Sequence, residues 1–393
     1  MGMFLKGKGV YIEKFEEGVS KCDRILWQDP CLIISAFSSS SSSSFFSSTV
    51  LCLIFPTLCW ADSSPCLQQR QTPPFIFGDS LSDPGNNNYI NNTSQYRANS
   101  SPYGITFFKY PTGRFSDGRL VPDFITEFAE LPLIPPYLQP GYHRYTDGAN
   151  FASGGAGILV ETNQGSVVCL KTQLEHFKNV EGKLRRKLGD AEARELVSRA
   201  VYLMNIGSND YIFPLALNSS IIKLYPQKYV RMVIGNLTSV IKEMYEKGGR
   251  KFWVPNLAPF GCVPGLRVSN NSCLEEANAL AKLHNQELPK MLQKLETQLK
   301  GFKYSTSDFY GFLIDMINFP SRHGLKEGKM ACIGVGPFRG GRSYGACKNP
   351  SEYVFFDSVH PTETVNQKFA SIVWNGNRNQ TWPHNLKELV ETI

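Results

Sequence analysis

The chain has no apolar run long enough to cross a bilayer, which takes about 20 residues; its best candidate, residues 49–59, is much shorter. It has no dense basic run either. Lys+Arg exceed Asp+Glu by 41 to 34, residues 1–61 carry five charges of each sign, and the excess of seven is spread over the rest. That leaves no electrostatic footprint for nucleic acid. No cysteine stands in a C-x-x-C pair, so zinc binding and thioredoxin-like chemistry are unsupported. There is no internal repeat, no interdomain linker, and no G-x-G-x-x-G spacing in the glycine cluster at 148–157. What is present is a 393-residue chain, 42% hydrophobic, enough to fill a sizeable core.

Residues 1–61 read as an N-terminal extension. Charged, unpatterned residues lead to a serine tract at 38–44, then to the apolar run 49–59 and Cys59-Trp60-Ala61. That run suits a signal-peptide core with a small-x-small cleavage pattern at Ala61, although such a core normally starts close to the N-terminus. The rival reading is a disordered extension on a cytosolic protein. Six cysteines follow Ala61, an even number with two locally spaced pairs, which suits disulfides in an exported chain. The spacing suggests Cys262–Cys273 and Cys332–Cys347, leaving Cys66 with Cys169. In an exported chain the sequons at Asn91, Asn92, Asn99, Asn218, Asn236, Asn270 and Asn379 would accept glycans.

From Pro74 onward the pattern alternates. Short apolar runs fall at Phe75–Phe77, Ala149–Ala152, Val201–Ile206 and Lys251–Pro255, with a weaker one near Phe302–Ser305. Between them lie helical periods, such as Val230, Val233, Ile234, Leu237, Ile241 and Met244 before the stop at Gly248-Gly249. Another helix runs through Leu288 to Leu299, a third from Leu120 to Leu131, and a fourth from Leu170 to Leu196 with a break near Gly189. Strands alternating with helices predict a parallel sheet covered on both faces, in a single domain over residues 62–393.

Four polar motifs stand at or near strand ends, the last of them after a further apolar run, Val354-Phe355-Phe356. Gly78-Asp79-Ser80 ends the first, within PFIFGDSLSDPGNNN; alone, Asp79-Ser80 reads equally well as a helix cap. The second motif spans Gly148 to Gly157, and the third is Gly207-Ser208-Asn209-Asp210. The fourth is Asp357-Ser358-Val359-His360-Pro361. Singly, such motifs are ordinary turns. Together they hold the parts for acyl transfer: a hydroxyl on Ser80, an imidazole on His360, and a carboxylate on Asp357 three residues away to fix its tautomer. Donors for a developing oxyanion are the backbone N–H groups of Ser80 and Gly155 and the side-chain amide of Asn209. The aromatics Phe107, Phe108, Tyr110 and Phe115 are candidates for an acyl pocket.

The four blocks, in this order, resemble the GDSL esterase/lipase family of plants, within the SGNH hydrolases; Pro259-Phe260-Gly261-Cys262-Val263-Pro264 also resembles a segment of that family. The resemblance covers roughly residues 74–374. It implies a flavodoxin-like three-layer α/β/α fold with about five parallel strands. It also implies a serine ester hydrolase with Ser80 as nucleophile, His360 as base and Asp357 orienting it. Ser80, Gly155 and Asn209 then form the oxyanion hole, and no metal or cofactor is required. It further implies secretion to the cell wall or apoplast and a small-molecule or lipid ester as substrate. The chain departs from the family pattern in its N-terminal extension and at Ala331-Cys332, where an adjacent cysteine pair is usual. Two alternatives stay open: an acyltransferase using the same acyl-enzyme, and a catalytically silent binding or defence protein on this scaffold.

Overall fold

The computed structural model describes residues 72–91, 93–334 and 346–391. The proposed leader, Cys66 and Asn92 lie outside them. Buried residues of alternating side build the first strand, β1 (Pro74–Gly78), with Phe75 and Phe77 on one face and Ile76 on the other. Helix α1 (Val121–Phe128) follows a long polar connection, then the short β2 (Ala149–Asn150). Next come α2 (Leu170–Leu188), α3 (Asp190–Arg199), β3 (Val201–Asn205), α4 (Asn209–Ala216), α5 (Ser220–Leu224), α6 (Pro226–Glu246) and β4 (Lys251–Trp253). The chain continues as α7 (Glu275–Gln298), β5 (Lys303–Ser307), α8 (Phe309–Asn318), β6 (Glu327–Ala331), β7 (Tyr353–Phe355), α9 (Glu363–Asn375), β8 (Thr381–Pro383) and α10 (Leu386–Glu391).

The main sheet has the order β2-β1-β3-β4-β5-β8. The first five strands are parallel and give the flavodoxin-like order 2-1-3-4-5; the sixth, β8, pairs antiparallel with β5. The sequence points to about five parallel strands, and those five are there. The sixth is a three-residue edge strand too short to carry a periodic signal. β6 and β7 form a separate two-stranded ribbon.

Strand alternation sorts the core into two layers. Phe75, Phe77, Tyr202, Met204 and Phe252 pack against Phe177 of α2, Leu237 and Ile241 of α6 and Leu288 of α7. Ile76, Val201, Leu203 and Trp253 pack on the opposite face against Phe124 of α1, Phe309 of α8 and Phe369 of α9. The break at Gly189 separates α2 from α3, as the helical period predicts, because Gly189 holds a left-handed φ of 84°. Two disulfides close locally, Cys262–Cys273 and Cys332–Cys347, the second despite the missing neighbouring cysteine. Cys169 carries a buried free thiol, and its suggested partner Cys66 is outside the described residues.

Candidate active site

In an open α/β sheet, ligands bind at the carboxyl ends of strands where the strand order reverses, here between β1 and β3. Ser80 leaves the tip of β1, and Asn209 opens α4 just past β3. The tip of β1 is fixed by the buried Gln173 of α2, which accepts from the Gly78 N–H at 2.9 Å and donates to the Gly78 carbonyl at 2.8 Å. Gly78 leaves no room for a side chain: an added Cβ would lie 2.7 Å from the Asn205 carbonyl oxygen.

Ser80 and the pair Asp357/His360 meet across 280 residues of sequence. His360 Nε2 lies 2.7 Å from Ser80 Oγ, and its Nδ1 lies 2.7 and 2.8 Å from the two Asp357 carboxylate oxygens. Asp357 Oδ1 also accepts from the backbone N–H groups of Val359 and His360, and Oδ2 accepts from the Tyr103 hydroxyl at 2.7 Å. Burial pushes the Asp357 pKa up, but the His360 charge and the hydrogen bonds from His360, Val359 and Tyr103 outweigh it and hold the carboxyl below its ordinary value. The His360 ring lies against Phe115, with ring centres 4.8 Å apart. A charged carboxylate on Nδ1 keeps the proton there and leaves Nε2 free to accept from the serine hydroxyl.

The other two sequence candidates stand beside this chain of hydrogen bonds. Asn209 lines the same cleft as Ser80 and donates one amide hydrogen to the Ala156 carbonyl at 3.0 Å. Gly155 sits in the turn Ser153–Ala156, next to that carbonyl, with φ 81°. The neighbouring Gly154 N–H is already taken by Asp83 at 2.9 Å, so of the two glycines Gly155 is the one suited to donate elsewhere.

A cleft of about 380 Å³ opens over Ser80, His360 and Asn209, a size suited to a small organic ligand. Its apolar wall comes from Ile212, Phe213 and Ala216 on α4, Phe309 and Leu313 on α8, and Ala258, Phe260 and Val263 between β4 and α7. Gln95, Tyr96 and Asn163 line it as well. None of the four aromatics suggested for this wall contributes to it. Phe107 and Phe108 lie under the guanidinium groups of Arg119 and Arg114, Tyr110 is exposed, and Phe115 is spent on His360.

Sequence reasoning also missed the residues that hold the strand tips in place. Tyr103 sits in an unpatterned connection with no spacing signal. Asp83 binds the N–H groups of Gly85, Asn86 and Gly154, while Asp210 binds those of Ile158 and Leu159 and the Thr162 hydroxyl. Burial raises the pKa of each to about 6, against the pull of these same hydrogen bonds. Among the described residues no cluster of His, Cys, Asp or Glu could hold a metal ion, and no helix is long and apolar enough to cross a membrane.

Comparison with known proteins gives the family. Residues 75–373 match the family described as GDSL-like Lipase/Acylhydrolase. The chain is 49% identical over 342 residues to GDSL esterase/lipase 1 of Arabidopsis thaliana, covering 83% of this chain and 91% of that protein. It is 46% identical over 353 residues to the GDSL lipase of Tanacetum cinerariifolium, covering 87% and 92% of the two chains. An α/β sheet with Ser80 at its switch point and a match over most of its length make this chain an ester hydrolase of the GDSL-like lipase/acylhydrolase family.

Proposed function

We propose that this hydrolase works through an acyl-enzyme on Ser80. The observation that carries the reading is the unbroken chain Ser80–His360–Asp357 at an apolar cleft. His360 Nε2 takes the Ser80 proton as Oγ attacks the ester carbonyl carbon. Asp357 stabilises the resulting imidazolium. Charge on the carbonyl oxygen is met by the N–H groups of Ser80 and Gly155 and by Asn209 Nδ2. Collapse of this adduct expels the alcohol, which takes the proton from His360. A water molecule then gives its proton to His360, attacks the acyl carbon, and releases the acid as the proton returns to Ser80. The apolar wall of α4 and α8 suits the acyl part of a carboxylic ester, including a lipid ester. The two disulfides, and the apolar run 49–59 with the small-x-small pattern at Ala61, support a further reading, that the chain is exported and glycosylated.

Fluorophosphonate labelling tests the mechanism, since only an activated serine reacts. A tagged fluorophosphonate should label Ser80 stoichiometrically, and Ser80→Ala should lose both labelling and esterase activity. Asp357→Asn should favour the wrong imidazole tautomer and lower kcat by roughly 10⁴. Labelling at another residue, or full esterase activity in Ser80→Ala, would overturn the assignment.

A further inference from the structure

The turn Ser153-Gly154-Gly155-Ala156 has a choice built into it. The Ala156 N–H donates to the Ser153 carbonyl at 3.0 Å, and of the two central residues only Gly155 has a positive φ, 81°. That is a type II turn. Type I differs from it chiefly by a rotation of about 180° of the central peptide, here the one joining Gly154 to Gly155. With glycine at both central positions, sterics do little to choose between the two. The choice matters because that peptide carries the Gly155 N–H.

A buried side chain makes the choice. Asn87 is 1% exposed, and its Nδ2 donates to the Gly154 carbonyl at 2.8 Å and to the Tyr96 carbonyl at 2.7 Å. Its Oδ1 accepts from the Ser153 hydroxyl, whose oxygen in turn accepts from the Val168 N–H at 2.9 Å, so the amide cannot turn over without breaking bonds at both ends. In a trans peptide the C=O and N–H point in opposite directions. Holding the Gly154 carbonyl against Asn87 therefore sends the Gly155 N–H away from the packed interior. Gly155 is the one partly exposed residue of this turn. Asn163, which lines the cleft, fixes the next peptide by donating to the Gly155 carbonyl at 2.7 Å.

We infer that Asn87 is a positioning residue for the reaction: its amide locks the Gly154–Gly155 peptide in the type II orientation that presents the Gly155 N–H to the ester oxygen as charge develops there. The inference rests on the acyl-enzyme reading above. Asn87 does not itself line the cleft; besides this peptide, its amide holds the carbonyl of the cleft residue Tyr96.

Asn87→Asp keeps the shape and removes the donor, while Asn87→Ala removes the side chain should a buried carboxylate beside Asp83 prevent folding. Rates are taken per active site, counted by fluorophosphonate titration run to completion. Losing an oxyanion donor typically costs on the order of 10²–10³ in kcat, so either variant should lose about that much with KM changed less than about twofold. Affinity for an alkyl boronic acid, whose tetrahedral serine adduct places an oxygen where the oxyanion forms, should fall in parallel. In the ¹⁵N-labelled wild type, the Gly155 amide resonance should shift on boronate binding, a readout that needs no variant to fold. Unchanged kcat per site, unchanged boronate affinity, or a Gly155 amide blind to the boronate would each overturn the role of Asn87. If Ser80 takes neither fluorophosphonate nor boronate, the acyl-enzyme reading itself fails, which is a different result.

Discussion

Asp79 stands next to Ser80, the proposed nucleophile, and is 3% exposed. Burial raises its pKa to about 7 from an ordinary 3.8, against the pull of the Leu81 N–H and the His360 charge, and with a smaller push from Asp210. From about pH 4 to 7 the folded chain therefore keeps a proton that the unfolded chain has released, and stability falls as pH rises through that window. Asp79→Asn retains an acceptor for the Leu81 N–H and cannot ionise. At pH 4 it should match the wild type; at pH 8 it should be more stable, by up to on the order of 4 kcal/mol at 1.36 kcal/mol for each step in pKa. Urea denaturation at the two pH values measures this, and a difference independent of pH would refute it. Ser80, Asn209, Asp357 and His360 were legible in the sequence because each follows an apolar run and belongs to a short block of distinct chemistry. Tyr103 and Asn87 were not, because their value lies in contacts with distant chain, Asp357 for Tyr103 and the Ser153–Gly154 turn for Asn87. Nothing local marks such a residue.

On the proposed reading, the acyl group of the ester lies against the helices that wall the cleft. Ile212, Phe213 and Ala216 of α4 and Phe309 and Leu313 of α8 offer apolar surface beside Ser80. Burying a methylene contributes about 0.8 kcal/mol, roughly a fourfold gain in binding. For 4-nitrophenyl esters of growing acyl length, kcat/KM should climb by about that factor per carbon until the cleft is full. Ala216→Trp should move the optimum to shorter chains. A flat series, or an optimum that ignores Ala216→Trp, would mean the acyl group lies elsewhere. At this scale the sequence was readable where elements are long and periodic: α2, α3, α6 and α7 end where their apolar spacing ends, although α7 begins at Glu275, well before the stretch from Leu288 that reads as helical. It was unreadable where tertiary contacts decide. The aromatics from Phe107 to Phe115 look like a pocket, yet two cap arginines and one supports the imidazole.

For the molecule as a whole, two short cross-links, at sequence separations of 11 and 15, each join a buried cysteine, Cys262 or Cys332, to a partly exposed one. Closing a loop of about 15 residues is worth roughly 3 kcal/mol where the bond fits the fold. Expressed in a eukaryotic secretory host, the protein should appear in the medium, beginning near Asp62, with both cross-links formed and Tm lowered by reductant. Recovery of the intact chain from Met1 in the cytosol, with these cysteines reduced, would sink the export reading. A last consequence concerns how such a protein changes over generations. The proposed reacting groups hang from sheet ends braced by Gln173, Asp83, Asn87 and Tyr103, whereas part of the cleft wall comes from Ile212, Phe213 and Ala216, side chains of α4 that are not fully buried. Mutations at these α4 positions leave the bracing bonds alone. After gene duplication, one copy can thus acquire a new diet while inheriting its chemistry intact, and kinship close enough to fix the reaction need not fix the meal.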